Sequence, residues 1–188
     1  MDNRTNILKC ALDLFSRKGY ESIGVQEIAL ASEITKPTMY YYFGSKLGLL
    51  EVLLKENFSL LFDKLNSSAE YKGDLPLTLF RVTKDYFSFA SQNKQFYRMQ
   101  LSLFFSPEES ETIKAISPMY NKQIKILDEM FLKASNDHGN MKGRHSLYAA
   151  TFMGMINTYI NMFLTGHIEL DDECIYKAVH QFMHGIYS

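Results

Sequence analysis

Apolar residues recur along this chain at the three- and four-residue spacing of amphipathic helices, and no stretch alternates with the period of two that a half-buried strand requires. Ile7, Leu8, Ala11, Leu12, Leu14 and Phe15 outline a first helix, which Gly19 stops. Val25, Ile28 and Ala29 mark a second, short helix. Thr35 caps a third, with Pro37 tolerated in its first turn. Ser45 caps a fourth, long helix carrying Leu49, Leu50, Leu53, Leu54, Phe58, Leu61, Phe62 and Leu65. Ser67, Ser68, Gly73 and Asp74 then read as the clearest loop, followed by helices over residues 75–91 and 94–105. Ser106-Pro107-Glu108-Glu109 combines a capping serine, a first-turn proline and acids at the positive dipole end, so a further helix is expected to start there. Ser117-Pro118 repeats that signal and predicts a kink or a new helix, continuing to about Ala134. After a polar, glycine-containing loop over 136–143, two last helices are expected over roughly 146–165 and 172–187.

The expected fold class is therefore all-α: an N-terminal three-helix unit containing a helix-turn-helix, then a larger C-terminal helical body. The division is expected within the fourth helix, near residue 50, giving 1–48 as the small module and 49–188 as the body. At 188 residues either part can bury a core. An apolar content of 46% with 22% charged residues is that of an ordinary globular protein and not of a disordered tail. No run approaches the 18 uninterrupted apolar residues of a membrane span, and Met1-Asp2-Asn3-Arg4 is not the start of a signal peptide. Cys10 and Cys174 have no spacing that suggests a redox or metal pair, so a cytoplasmic location without a cofactor is expected.

Charge changes the picture by what it excludes. The net value of −1 argues against a chain that binds nucleic acid over its whole surface. Residues 1–50 hold six Lys/Arg against five Asp/Glu, a balance of only +1. Affinity for a polyanion must then rest on local placement, and one segment offers it.

Thr35-Lys36-Pro37-Thr38-Met39-Tyr40-Tyr41-Tyr42-Phe43, with Ser45-Lys46 behind it, has too few apolar positions for an ordinary core helix. Helices two and three, separated by Ser32-Glu33-Ile34, have helix-turn-helix spacing, in which the second helix enters the major groove while the first braces it. Thr35, Lys36 and Thr38 stand at the recognition-helix start, where free N–H groups and the dipole favour phosphate. Tyr40 and Phe43, three apart, are expected to pack inward, which leaves Tyr41 and Tyr42 for phosphate or base-methyl contacts. Lys46 can reach a phosphate from the side.

These residues also carry a resemblance. Ala11-x-x-Leu14-Phe15-x-x-x-Gly19-Tyr20, Ile28-Ala29 and Ile34-x-Lys36-x-Thr38-Met39-Tyr40-Tyr41-Tyr42-Phe43-x-Ser45-Lys46-x-x-Leu49 resemble the DNA-binding domain of the TetR-family transcriptional regulators. The resemblance implies a C-terminal small-molecule pocket and a homodimer paired through the last two helices. Three positions depart from the family pattern: Gly24 where a hydroxyl residue usually caps helix two, Glu33 in place of the turn glycine, and Gly48 where an acid is common. Glycine as a cap costs only a few tenths of a kcal/mol. A positive φ at Glu33 would cost on the order of 1 kcal/mol.

The body is rich in aromatic and methionine side chains, which suits an apolar or aromatic effector better than a highly charged one. Helical spacing groups Val82, Tyr86 and Phe89, then Ile116, Tyr120 and Leu127, then Phe152, Met155 and Tyr159. Tyr86, Phe89, Tyr120, Phe152, Met155 and Tyr159 are the expected effector contacts. Ala149, Ala150, Gly154 and Thr158 keep one side of the penultimate helix small, and Val179, Phe182, Met183 and Ile186 supply apolar surface on the last one, as a homodimer interface requires. His180 and His184 lack a carboxylate or cysteine at a matching offset, so no metal is expected. No nucleophile elbow or phosphate-binding glycine loop supports an enzyme. The expected function is a homodimeric repressor released from a palindromic double-stranded operator by a small effector; the alternative is a DNA-binding head whose body binds a protein partner.

Overall fold

The computed structural model describes residues 2–185, so Ile186 and the helix end expected at Tyr187 lie outside the described residues. Within them the chain forms nine α-helices and no strand: α1 (Asn3–Lys18), α2 (Val25–Ala31), α3 (Lys36–Phe43), α4 (Lys46–Ser68), α5 (Leu75–Gln92), α6 (Lys94–Phe104), α7 (Glu111–Ala134), α8 (His145–Leu164) and α9 (Asp172–His184). A single 3-10 turn, Gly139–Met141, interrupts the loop before α8. None of these helices is long and apolar enough to cross a membrane.

Three boundaries differ from the sequence expectation. Ser67 and Ser68 end α4 and are not loop, the loop being confined to the residues after them. The Ser106-Pro107 signal makes a turn rather than a helix; α7 starts at Glu111, with the Ser110 hydroxyl accepting from the Ile113 N–H at 3.2 Å. No new helix begins at Ser117-Pro118, because Pro118 lies inside α7. Its missing N–H orphans one carbonyl of the preceding turn, and the Ser117 hydroxyl donates to the Ile113 carbonyl at 2.6 Å beside it.

The chain divides into two compact units. The first comprises the residues up to Ser59 together with Asn93–Met119. Its core is built from Ile7, Ala11 and Phe15 of α1, Ile28 and Ala29 of α2, Met39 of α3, Leu50, Leu54 and Phe58 of α4, and Phe96, Tyr97 and Met99 of α6. The Phe58 and Phe96 rings meet edge-on at 5.2 Å, and Gln95 Nε2 donates to Asp13 Oδ1 at 2.8 Å, fastening α6 along α1. The second unit comprises Leu60–Gln92 and the residues from Tyr120 onward. In it α5, α8 and α9 pack on one another, with Leu79, Val82, Tyr86, Phe152, Ile156, Ile175 and Val179 buried in the core. Lys84 pairs with Asp172 at 2.9 Å across α5 and α9.

Candidate nucleic-acid interface

The turn between α2 and α3 is a Schellman motif read directly from its bonds. The Ile34 N–H donates to the Ala29 carbonyl at 3.0 Å and the Glu33 N–H to the Leu30 carbonyl at 3.1 Å. That pattern requires a left-handed residue next to the C-cap, and Glu33 supplies it at φ 54°. It is the only non-glycine with positive φ among the described residues, in the place where glycine would be unstrained. The turn is held from below: buried Ser32 donates its hydroxyl to the Ile28 carbonyl at 2.7 Å, and Asn6 Nδ2 donates to the Ser32 carbonyl at 2.9 Å.

The start of α3 is tightly specified. Thr35 Oγ1 accepts from the Thr38 N–H at 3.3 Å, and the two hydroxyl oxygens lie 2.9 Å apart. Whichever hydroxyl donates in that pair, the other keeps its proton for an outside acceptor. Pro37 carries no N–H, so of the first-turn amides only that of Lys36 stays unpartnered among the described residues. An anion at this end would thus meet one amide, one hydroxyl and the exposed Lys36 ammonium.

Tyr41 is 84% exposed, Tyr42 39% and Tyr40 46%. The expectation that Tyr40 packs inward with Phe43 is corrected: Met39 is fully buried and shares the inner face with Phe43. Residues four apart lie within about 40° on a helix, closer than residues three apart, so Met39 takes the central position and turns Tyr40 outward. The Met39–Phe43 apolar pair was the signal available in the sequence for this arrangement. The Tyr41 and Tyr42 rings meet edge-on at 5.3 Å, a contact that limits their freedom before any partner arrives.

Lys46 is half-buried. Its ammonium donates to the Tyr20 and Ile23 carbonyls, each at 3.2 Å, and lies 3.9 Å from the centroid of the Tyr20 ring. Two of its three N–H groups are spent inside the protein, leaving one for a phosphate. The Tyr20 hydroxyl in turn donates to Glu111 Oε1 at 2.6 Å, and burial followed by this bond pushes the phenol well above its usual range. The helix-turn-helix is thereby tied to the start of α7 within the same compact unit.

Gly48, one of the three departures from the family pattern, is a packing requirement. A Cβ there would sit 2.2 Å from the Phe43 carbonyl oxygen, a distance only glycine avoids without moving backbone. Of the front cations, Arg4 pairs with Glu56, Arg17 with Asp13 and Lys18 with Glu27. Lys9, Lys36 and Lys46 form no ion pair among the described residues, so the positive charge left over at the front of the chain is small and local.

In the second unit, Met155 and Tyr159 line a cavity of about 540 Å³ between α8 and α9, together with Arg144, Tyr148 and Phe182. Tyr86, Phe89 and Phe152 do not line it; they are buried in the core, Tyr86 donating its hydroxyl to Gln123 at 3.1 Å. Tyr120 is half-buried, also away from that cavity. On α8, Ala150, Gly154 and Thr158 are exposed while Ala149 is buried, so the small outer stripe lacks its first expected member. On α9, Val179 is buried whereas Met183 stays 39% exposed. The His180 and His184 rings lie 4.5 Å apart, tilted by 40°, on an exposed stretch, and no cluster of three or more metal-binding side chains occurs among the described residues.

A profile of the family described as bacterial regulatory proteins, tetR family, matches residues 7–53, the span from α1 into α4 that contains this turn, the exposed α3 and Lys46. Over these residues the chain carries the N-terminal domain of the tetR family. The family is one of DNA-binding regulators and not of enzymes. The chain is 37% identical over 115 residues to the HTH-type transcriptional regulator YuxN of Bacillus subtilis, a match covering 58% of this chain but 39% of that protein. It is 28% identical over 148 residues to IcaR of Staphylococcus aureus, the negative transcriptional regulator of the biofilm operon icaADBC, covering 71% of this chain and 74% of IcaR. Among solved structures, FadR from Bacillus subtilis in complex with stearoyl-CoA superposes with a TM-score of 0.80 at 20% identity, over 97% of this chain and 99% of that one. At that identity the likeness speaks for the fold across the whole length.

Proposed function

We propose that this chain is a homodimeric transcriptional repressor that binds a palindromic operator through α3 and leaves it when a small apolar or aromatic effector binds the helical body. The observation that carries the DNA-binding half is the two-sided character of α3. Met39 and Phe43 anchor one face, while Tyr40, Tyr41 and Tyr42 stand exposed on the other beside Thr35, Thr38 and Lys36. Residues 1–48 are the DNA-binding part in this reading, with Thr35, Lys36, Thr38, Tyr41, Tyr42 and the remaining N–H of Lys46 as contacts.

Two-fold pairing is supported by the small, exposed residues Ala150, Gly154 and Thr158 on α8 and by exposed Met183 on α9. A dimer also supplies what one short helix cannot, since two recognition helices read half-sites about 34–36 Å apart. The repressor polarity is supported by the negative regulation exerted by IcaR, and an apolar effector by the long acyl chain of the stearoyl-CoA bound to FadR. Tyr86, Phe89, Tyr120, Phe152, Met155 and Tyr159 remain the proposed effector contacts, with Met155 and Tyr159 already standing on a cavity wall. An effector releases DNA only to the extent that it binds the non-binding conformation better, so its differential affinity limits the response.

The test is footprinting of the purified protein on DNA upstream of its own gene, first alone and then with fatty acyl-CoA and aromatic compounds. Protection of a palindrome, lost on adding one such compound, is the expected result. Absence of protection at every salt concentration sinks the proposal.

A further inference from the structure

A second, smaller cavity lies wholly within the second unit, where the start of α5, the end of α7, the loop before α8, and α9 converge. Its volume is about 240 Å³, and its walls are mostly apolar, with Leu79, Phe131, Met141, Phe182 and Met183 joined by the ring of Tyr148 and the amide of Asn140. No lining residue carries a carboxylate, an ammonium or a guanidinium. Among the polar groups of the lining, one is buried and unpaired. His138 lines the cavity, and its ring Nε2 is buried with no hydrogen-bond partner. A buried nitrogen left unpaired costs roughly 1–3 kcal/mol, so such an atom calls for a partner brought from outside.

The loop that carries His138 is built to hold it in place. The His138 N–H donates to the Ala134 carbonyl at 3.1 Å, and its own carbonyl accepts from the Met141 N–H at 2.9 Å. The neighbouring Asp137 accepts from the Tyr71 hydroxyl at 2.8 Å. The imidazole is therefore presented by a backbone bonded on both sides, with the aromatic wall of Phe131, Tyr148 and Phe182 facing the same space.

We propose that this cavity is a binding site for a neutral aromatic molecule of one or two rings bearing a single hydroxyl, which bonds to His138 Nε2. The size fits: an apolar cavity of about 150 Å³ already accepts benzene, and drug-sized ligands need about 300 Å³ or more. The chemistry fits as well. With no fixed charge in the walls, a charged ligand would be desolvated without a counter-ion, whereas one hydroxyl matches the one buried unpaired atom. Tyr148 and Phe182 also line the larger cavity between α8 and α9, so they form the partition between the two spaces. The site stands independently of the DNA-binding reading, and its test involves no DNA.

The test is a titration of the full-length protein, carrying 13C-methyl methionine and 15N-histidine, with 2-naphthol and with naphthalene. Met141 and Met183 methyl signals are assigned by Met→Leu replacement. The expected result is a saturable shift of both methyls with either compound, and a shift of the His138 Nε2 signal with 2-naphthol alone. His138→Phe should weaken 2-naphthol about tenfold and leave naphthalene unchanged. Shifts confined to other methionines, no saturable shift at millimolar 2-naphthol, or a His138 nitrogen indifferent to the hydroxyl would each overturn the proposal, and these wild-type readings decide it even if the variant fails to fold.

Discussion

Glu33 and Gly48 pull in opposite directions at the two ends of α3. Glu33 occupies the left-handed position of a Schellman turn at φ 54°, a conformation that costs an L-residue about 1–2 kcal/mol and glycine very little. Glu33→Gly should therefore raise the urea midpoint by an amount worth about 1 kcal/mol, even after the extra backbone entropy of glycine in the unfolded chain. A lower midpoint would mean that the Glu33 side chain contributes more than its strain costs. Gly48→Ala tests the reverse case. Helix propensity alone favours alanine by about 1 kcal/mol, but the new Cβ meets the Phe43 carbonyl oxygen at 2.2 Å. Overpacking of this kind costs about 1–3 kcal/mol, so the variant should be less stable, and a gain in melting temperature would show the α3–α4 corner to be soft. Glu33 was legible in the chain as a missing glycine. The clash that makes Gly48 necessary was not, because it depends on how closely α4 folds back on the end of α3.

Helix α3 separates a buried face from an exposed one, which the proposed function reads as anchoring and contact. Tyr41→Ala removes a ring that is 84% exposed, so thermal stability should change by less than about 0.5 kcal/mol while affinity for a specific site falls. Met39→Ala deletes a fully buried side chain and should cost about 2–5 kcal/mol of stability, with DNA binding lost alongside folding. Equal effects of the two in both assays would contradict the division. Lys46 belongs to the same junction, and its two hydrogen bonds to the Tyr20 and Ile23 carbonyls give it an internal role. Lys46→Met keeps the aliphatic stem and removes the ammonium. Stability should drop by about 1–3 kcal/mol from the two lost charged hydrogen bonds. If the third N–H reaches a phosphate, the salt dependence of DNA binding should also fall by about one unit of slope. A slope equal to that of the unmodified protein would leave Lys46 as a tether alone.

For the whole molecule, the proposed dimer is tested on the outer face of α8. Gly154 is exposed, and a Cβ built on it meets nothing within 4 Å. Gly154→Arg should leave the subunit folded and even favour α8, since glycine is about 1 kcal/mol worse than arginine-like residues in a helix. Sedimentation should then report a monomer, with operator affinity lost despite an intact α3; a dimer of unchanged stability would move the interface elsewhere. Much of the molecule was open to a reader of the sequence. Helical period, the cap at Thr35 and the stop at Gly19 are local effects, set by residues within one turn of each other. The family resemblance was equally local, carried by a contiguous stretch from α1 to the start of α4. What lay beyond the sequence depends on distant segments meeting: Met39 displacing Tyr40 from the inner face, the Lys46–Tyr20–Glu111 tie, and α6 packing along α1 in one compact unit. Local backbone chemistry was sufficient to determine that α3 exists and which residues it offers. Only tertiary packing, where side chains far apart in the chain compete for the same buried volume, decided which of them turn outward and where the cavities of the second unit open.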